Sequence, residues 1–247
     1  MGLNAVRTTI RTSWLLFACM CVPLHSSAQS QQSSYEVSVR ELRIPPKAHQ
    51  NFEQGMKCLA KKDAAGSLPH FQRAIAEFAG YYEAYDRMGA AFLKLWRVPE
   101  AEQAFRKSIE LSGGGYAHPL LALGAILDDQ GKFDEALTVV RKGLDLNPES
   151  WTGYYYQGLA LFGSNRLEEA EKSAHEVLLR KTEFPKAHLL LADIHSRQKQ
   201  YASLVIDLDE YLRLVPDGPD SDWAKALLKS VQGMMFEYQS SIPNAQP

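Results

Sequence analysis

Five small residues recur along this chain at an almost constant step of about 34 residues: Gly55, Gly89, Gly124, Gly158 and Ala192. A fixed period of this length restricts the fold more than any local motif does. It means one supersecondary unit stacked on copies of itself, each too small to bury its own apolar face. Other columns keep the same step. Twenty residues after each small residue stands an aliphatic, Ile75, Ile109, Leu144, Leu178 and Leu212. Twelve after come Ser67, Ala101, Ala136, Ala170 and then Leu204; sixteen after come Phe71, Phe105, Val140, Ala174 and Leu208. Four before come Asn51, Tyr85, Leu120, Tyr154 and His188. The step from Gly89 to Gly124 is longer by a single residue. That extra residue falls in "SGGGYAHP", a glycine-rich turn where one insertion costs little.

The third copy shows what each unit folds into. In "GKFDEALTVVRKGLDLNP" (131–148) the apolar residues Phe133, Leu137, Val140 and Leu144 recur at helical spacing, with Ala136 and Gly143 on the same stripe. The spacing predicts two antiparallel helices per repeat, here from about Pro119 to Asp129 and from about Phe133 to Leu146. Gly131 is placed to end the first, where positive φ is often needed, and Pro148 to stop the second. Pro99 suits a first helical turn in the second repeat. Gly124, Ala136 and Gly143 mark close helix approaches, with Leu123, Leu127, Phe133 and Val140 filling the space beside them.

These columns, clearest in "YEAYDRMGAAFLKLWRVPEAEQAFRKSIEL" (82–111) and "PLLALGAILDDQGKFDEALTVVRKGLDLNP" (119–148), resemble the tetratricopeptide repeat family over roughly residues 47–217. The resemblance implies an all-α, right-handed superhelical solenoid of about five helix pairs, over 47–80, 81–115, 116–149, 150–183 and 184–217. Residues 218–235 read as a capping helix. In it Ser221 is the expected N-cap, Trp223, Ala226, Leu227 and Val231 the apolar face and Gly233 the terminator. Residues 236–247 read as a disordered tail. The ends of the array fit less well: Leu204 and Tyr211 are large where the family prefers small residues, which predicts wider packing or a slipped register. Gly66 and Pro69 weaken the start of the second helix of the first repeat.

The N-terminus has a separate logic. Arg7 and Arg11 precede the apolar run Trp14–Leu24, and Ser26 and Ala28 are small at the spacing a signal peptidase needs. Residues 1–28 read as a signal peptide cleaved after Ala28, so the protein is expected to be periplasmic or extracellular. The alternatives are a lipoprotein with Cys19 lipidated and an uncleaved anchor, although eleven residues containing Pro23 fall short of the 20 or so that a span needs. Residues 29–46 read as a linker and extended arm, "YEVSVRELRIPP" alternating partly like a strand. Cleavage leaves Cys58 alone, so no intramolecular disulfide can form.

Composition excludes some functions. The formal charge is −2, and −4 without the leader, which removes two arginines and leaves 25 basic and 29 acidic residues. Nucleic acid is therefore not an expected partner. There is no P-loop, no G-x-S-x-G and no H-E-x-x-H. Gly113-Gly114-Gly115 follows no predicted strand and reads as a turn. His188 and His195 in "HLLLADIH" are seven residues apart, roughly 10 Å along a helix, too far to chelate one metal. They read as a semi-buried, hydrogen-bonded pair. Trp151, Tyr154, Tyr155 and Tyr156 read mainly as packing aromatics.

No catalytic residue, cofactor or metal is expected. The resemblance implies instead a groove lined by the first helix of each repeat: Phe52, Met56 and Leu59; Asp86, Ala90 and Leu93; Leu121, Ala125 and Asp128; Tyr155, Leu159 and Phe162; Leu189, Asp193 and Ser196. Such a lining, apolar with scattered acids, suits an extended peptide or an amphipathic helix. It lacks the asparagines and paired lysines of the repeats that grip a chaperone's C-terminal carboxylate; only Lys94, Lys186 and Arg197 come near. The resulting expectation is a non-catalytic protein–protein interaction scaffold of the bacterial cell envelope, brought near a membrane through an envelope complex. The alternative is an enzyme or ligand-binding protein using Tyr155, Asp193 and the histidines.

Overall fold

The structure, a computed structural model, describes residues 44–241. The leader, the linker and residues 35–43 of the arm lie outside the described residues, as do residues 242–247. Among the described residues there are eleven helices and no strand. They are α1 (Pro46–Ala60), α2 (Ala64–Glu77), α3 (Tyr82–Lys94), α4 (Val98–Leu111), α5 (Ala117–Asp129), α6 (Phe133–Leu146), α7 (Trp151–Gly163), α8 (Leu167–Arg180), α9 (Pro185–Gln198), α10 (Tyr201–Leu214) and α11 (Ser221–Ser241). The first ten are five antiparallel pairs. The chain divides into two compact units, one ending at Asn147 and the other starting at Pro148. The first holds α1–α6 and the second α7–α11.

Each first helix of a pair ends in the same way. Lys62, Trp96, Gly131, Asn165 and Lys199 all have φ between 60° and 76°, in the left-handed region. The N–H of the following residue reaches five residues back, from Asp63 to the Cys58 carbonyl, Arg97 to Phe92, Lys132 to Leu127, Arg166 to Leu161 and Gln200 to His195, each at 2.9 Å. This is the Schellman arrangement, which satisfies carbonyls the helix leaves over. Only one repeat meets the requirement with glycine. The glycine signal was thus legible at Gly131 alone, and the other four turns were set by the packing of the pair.

The small residues are where the helices meet. A Cβ on Gly55 would lie 2.6 Å from the Phe71 ring, one on Gly89 2.8 Å from Phe105, and one on Gly124 2.2 Å from Val140 Cγ2. In the second unit the residue sixteen on is Ala174, and the space beside Gly158 is filled from the next repeat by Leu190, 2.9 Å from a Cβ placed there. On α6, Gly143 admits Leu121, whose Cδ2 would stand 2.6 Å from an added Cβ. Ala136, Leu137, Val140 and Leu144 are all buried on the inner face of α6.

Five local expectations need correction. α2 spans Gly66 and Pro69 without interruption; the Asp63 side chain accepts the Gly66 N–H at 2.7 Å, and a Cβ on residue 66 would collide with that carboxylate. Glycine is there for the cap. In the last repeat the register does not slip. Leu204 and Tyr211 are buried with Leu189, Ala192 and Leu208 beneath α11, which supplies Ala224 and Val231 while Trp223, Leu227, Leu228 and Met235 pack around them. The large side chains fill the space between the last pair and its cover. Finally, α11 runs through Gly233 to Ser241, beyond the expected boundary at 235, so residues 236–241 belong to the helix rather than to a disordered tail. Ser221 is its first residue, not its cap: the hydroxyl accepts the Gly218 N–H at 2.8 Å and donates to the Val215 carbonyl at 2.6 Å. Ala224, not Ala226, faces inward. α11 is the first half of a sixth repeat, since Ala226 falls one full repeat after Ala192, and the side that would meet a second helix carries Lys225, Ala226 and Lys229, all exposed.

Candidate functional site

The face formed by the first helices of the pairs is α1, α3 and α5 in the first unit and α7, α9 and α11 in the second. Eight of the fifteen groove residues predicted on it are partly exposed: Phe52, Met56, Leu59 and Asp128 in the first unit, Leu159, Phe162, Asp193 and Ser196 in the second. The other seven are core, Ala90 and Ala125 among them. Leu121 is drawn into the space above Gly143. Leu93 is fully buried in α3, where helices stacked about 8–10 Å apart cover one another's flanks. Tyr155 packs edge-on against Phe184, ring centroids 5.1 Å apart, and beside Tyr156. Leu189 is under α11. Asp86, with no exposed surface, is covered by the start of α5.

Asp86 is the centre of a polar cluster that sequence reading missed. Its Oδ1 lies 2.7 Å from His118 Nδ1, its Oδ2 accepts the Tyr116 hydroxyl at 3.4 Å, and Arg87 Nε is 3.5 Å away. Arg87 also donates to the Tyr116 oxygen at 3.4 Å. A buried carboxylate is tolerable only with such partners. Burial, and secondarily the charge of Asp86, pushes the Tyr116 phenol well above its ordinary value. Tyr116 and His118 follow Asp86 by nearly one repeat, and the period itself is the signal that could have paired them.

The second unit holds a comparable arrangement around the histidines. His195 Nδ1 is 2.6 Å from Asp207 Oδ2, and His188 Nδ1 is 3.6 Å from Asp207 Oδ1. On the far side of His195, Nε2 is 3.5 Å from Glu171 Oε1, which also lies 3.9 Å from His175. One buried aspartate from α10 thus stands between both histidines of α9, within the last pair. Among the described residues no group of three His, Cys, Asp or Glu is arranged to hold a metal ion. The aromatic cluster of α7 is structural in the same sense: the Trp151 and Phe184 rings pack tilted with centroids 4.8 Å apart, Lys181 lies 4.0 Å over the Trp151 ring, and Arg180 lies 4.3 Å over Tyr154. Phe162 is partly covered by the Arg197 guanidinium, 3.9 Å over its ring, which also donates to the Phe162 carbonyl. Burial lowers the pKa of Lys186, against the opposing pull of Asp220. No helix among the described residues is long and apolar enough to cross a membrane.

Helix pairs of fixed length, small residues at their crossings and a half-repeat cover define a protein of stacked helical repeats. The model of the tetratricopeptide repeat matches residues 121–184, and the fold is shared with solved proteins of that class. The chain is similar to MamA from Desulfovibrio magneticus RS-1, with a TM-score of 0.62 at 20% identity over 71% of this chain and 99% of that one. It is also similar to YrrB, described as a tetratricopeptide repeat protein with an unusual peptide-binding site, with a TM-score of 0.60 at 17% identity over 76% of this chain and 95% of that one. Among curated proteins it is 27% identical over 172 residues to DnaJ homolog subfamily C member 3 of Gallus gallus. That match takes in 70% of this chain but only 30% of the relative, so the chain spans under a third of that relative's length.

Proposed function

We propose that this protein is a non-catalytic scaffold that holds a peptide or helix of a partner protein on the first-helix face of its repeats, in the cell envelope of a bacterium. The observation that carries the reading is that apolar side chains stay partly exposed at matching repeat positions, Met56 and Leu59 on α1 and Leu159 and Phe162 on α7. Each unit adds an acid on the same face, Asp128 in the first and Asp193 in the second. Each therefore offers what an amphipathic helix needs, apolar surface with a carboxylate nearby. YrrB, described as having a peptide-binding site, shares the fold. The rival reading, an enzyme or ligand site built on Tyr155 and the histidines, draws no support, because Tyr155 is buried among aromatics and His195 is held by Asp207.

Export rests on the sequence alone, on Arg7, Arg11, the run Trp14–Leu24 and Ala28. N-terminal sequencing of protein from the periplasmic fraction tests it, with Gln29 as the first residue expected. For the scaffold, crosslinking in intact envelopes followed by mass spectrometry should trap one partner. Leu159→Glu should abolish the crosslink while leaving the helical spectrum unchanged, and a crosslink that survives Leu159→Glu and Met56→Glu together would remove the face from consideration.

A further inference from the structure

The turns that join the helices of the first two pairs share the left-handed residue of all five turns, here Lys62 and Trp96, but differ from the others in the side chains they present. Trp96 is 52% exposed. On these two turns and the helix ends that lead into them, the ammonium groups of Lys57, Lys61, Lys62 and Lys94 have no acidic partner among the described residues, while Asp63 caps α2 and Glu100 pairs with Arg97 at 2.8 Å. α1 and α3 run parallel through successive repeats of one compact unit, so both turns lie on the same edge. The third turn of that unit brings Asp128 and Asp129, which confines the excess of cations to the first two.

We propose that this edge docks on an anionic phospholipid surface, with Trp96 entering the headgroup layer and the four lysines facing lipid phosphates. Turn tips form a protruding edge rather than a cleft, so a plane suits them better than a peptide does. A half-exposed indole among unpaired lysines is the combination that membrane interfaces favour. The site is separate from the first-helix face and does not depend on it.

The test is sedimentation of the full chain with two kinds of vesicle, phosphatidylcholine alone and phosphatidylcholine mixed with phosphatidylglycerol. The leader binds on its own account, Trp14–Leu24 to either vesicle and Arg7 and Arg11 to the anionic one, so the quantity read is the gain on adding the anionic lipid, compared between the wild type and variants that carry the same leader. A gain is expected that disappears in high salt. It should fall roughly fivefold for each lysine removed in Lys61→Gln and Lys62→Gln. It should fall again in Trp96→Gly, a variant whose backbone the turn already favours and whose fold circular dichroism verifies. No gain with the anionic lipid overturns the proposal, as does a gain that both kinds of variant leave unchanged. Capture of an acidic polypeptide by the same lysines without any vesicle binding would also overturn it.

Discussion

Gly124 lies directly against Val140: a Cβ added to the glycine would stand 2.2 Å from Val140 Cγ2. The first helix of the pair comes close to the second because one partner has no side chain. Gly124→Ala should therefore destabilise the protein by about 1–3 kcal/mol through overpacking, despite alanine's higher helix propensity. Val140→Ala in the same chain should recover part of the loss, and a double-mutant cycle from urea unfolding reads the coupling directly.

Ala136 and Leu144 test the same crossing from the other helix. Ala136 is fully buried and Leu144 nearly so. Ala136→Leu is expected to cost about 1–3 kcal/mol by overpacking and Leu144→Ala about 2–5 kcal/mol by leaving a cavity. Equal midpoints for wild type and both variants in chemical denaturation would contradict the packing.

The left-handed turn residues make an opposite pair of predictions. Gly131→Ala places a Cβ at φ 76° and should cost about 1–2 kcal/mol. Lys199→Gly, at φ 60° in the equivalent turn, should stabilise the last repeat by a few tenths to about 1 kcal/mol, because relief of strain outweighs the greater freedom of glycine in the unfolded chain. Thermal unfolding of the two variants should show shifts of opposite sign.

Asp207 joins α10 to both histidines of α9. Asp207→Ala leaves His195 without its 2.6 Å partner in a buried setting and should destabilise the protein by about 1–3 kcal/mol, the cost of a buried polar group left unsatisfied. Glu210→Ala breaks only the exposed pair with Arg213 and should change stability by about 1 kcal/mol or less. Hydrogen exchange would place the Asp207 effect in α9 and α10.

Tyr116 predicts a pH dependence. Its phenol is raised by burial and by Asp86, so the folded state keeps a proton that the unfolded chain gives up above about pH 10. The stabilisation is complete below that pH. It is lost as pH rises, at up to about 1.4 kcal/mol per unit while only the unfolded form is ionised. Urea midpoints measured on either side of about pH 10 should fall more steeply for the wild type than for Tyr116→Phe.

The sequence by itself determined the repeat. The columns of Gly55 through Ala192, the aliphatics twenty residues on, and Pro148 placed five helix pairs in register, because close-packed helices admit side chains of only certain sizes at each crossing. It also marked the glycine turn at 131 and the aromatic packing of α7. Tertiary structure decided which side of each first helix remained open. Leu121 and Leu189 occupy the same column as the partly exposed Phe52, yet one sinks above Gly143 and the other beneath α11. It likewise decided that Asp86 and Asp207 lie buried among partners from neighbouring helices, and that Lys62, Trp96 and Lys199 adopt a backbone their own preferences oppose. A periodic pattern records the average neighbour of a position, whereas exposure and pairing depend on the particular side chains that the adjoining helix delivers.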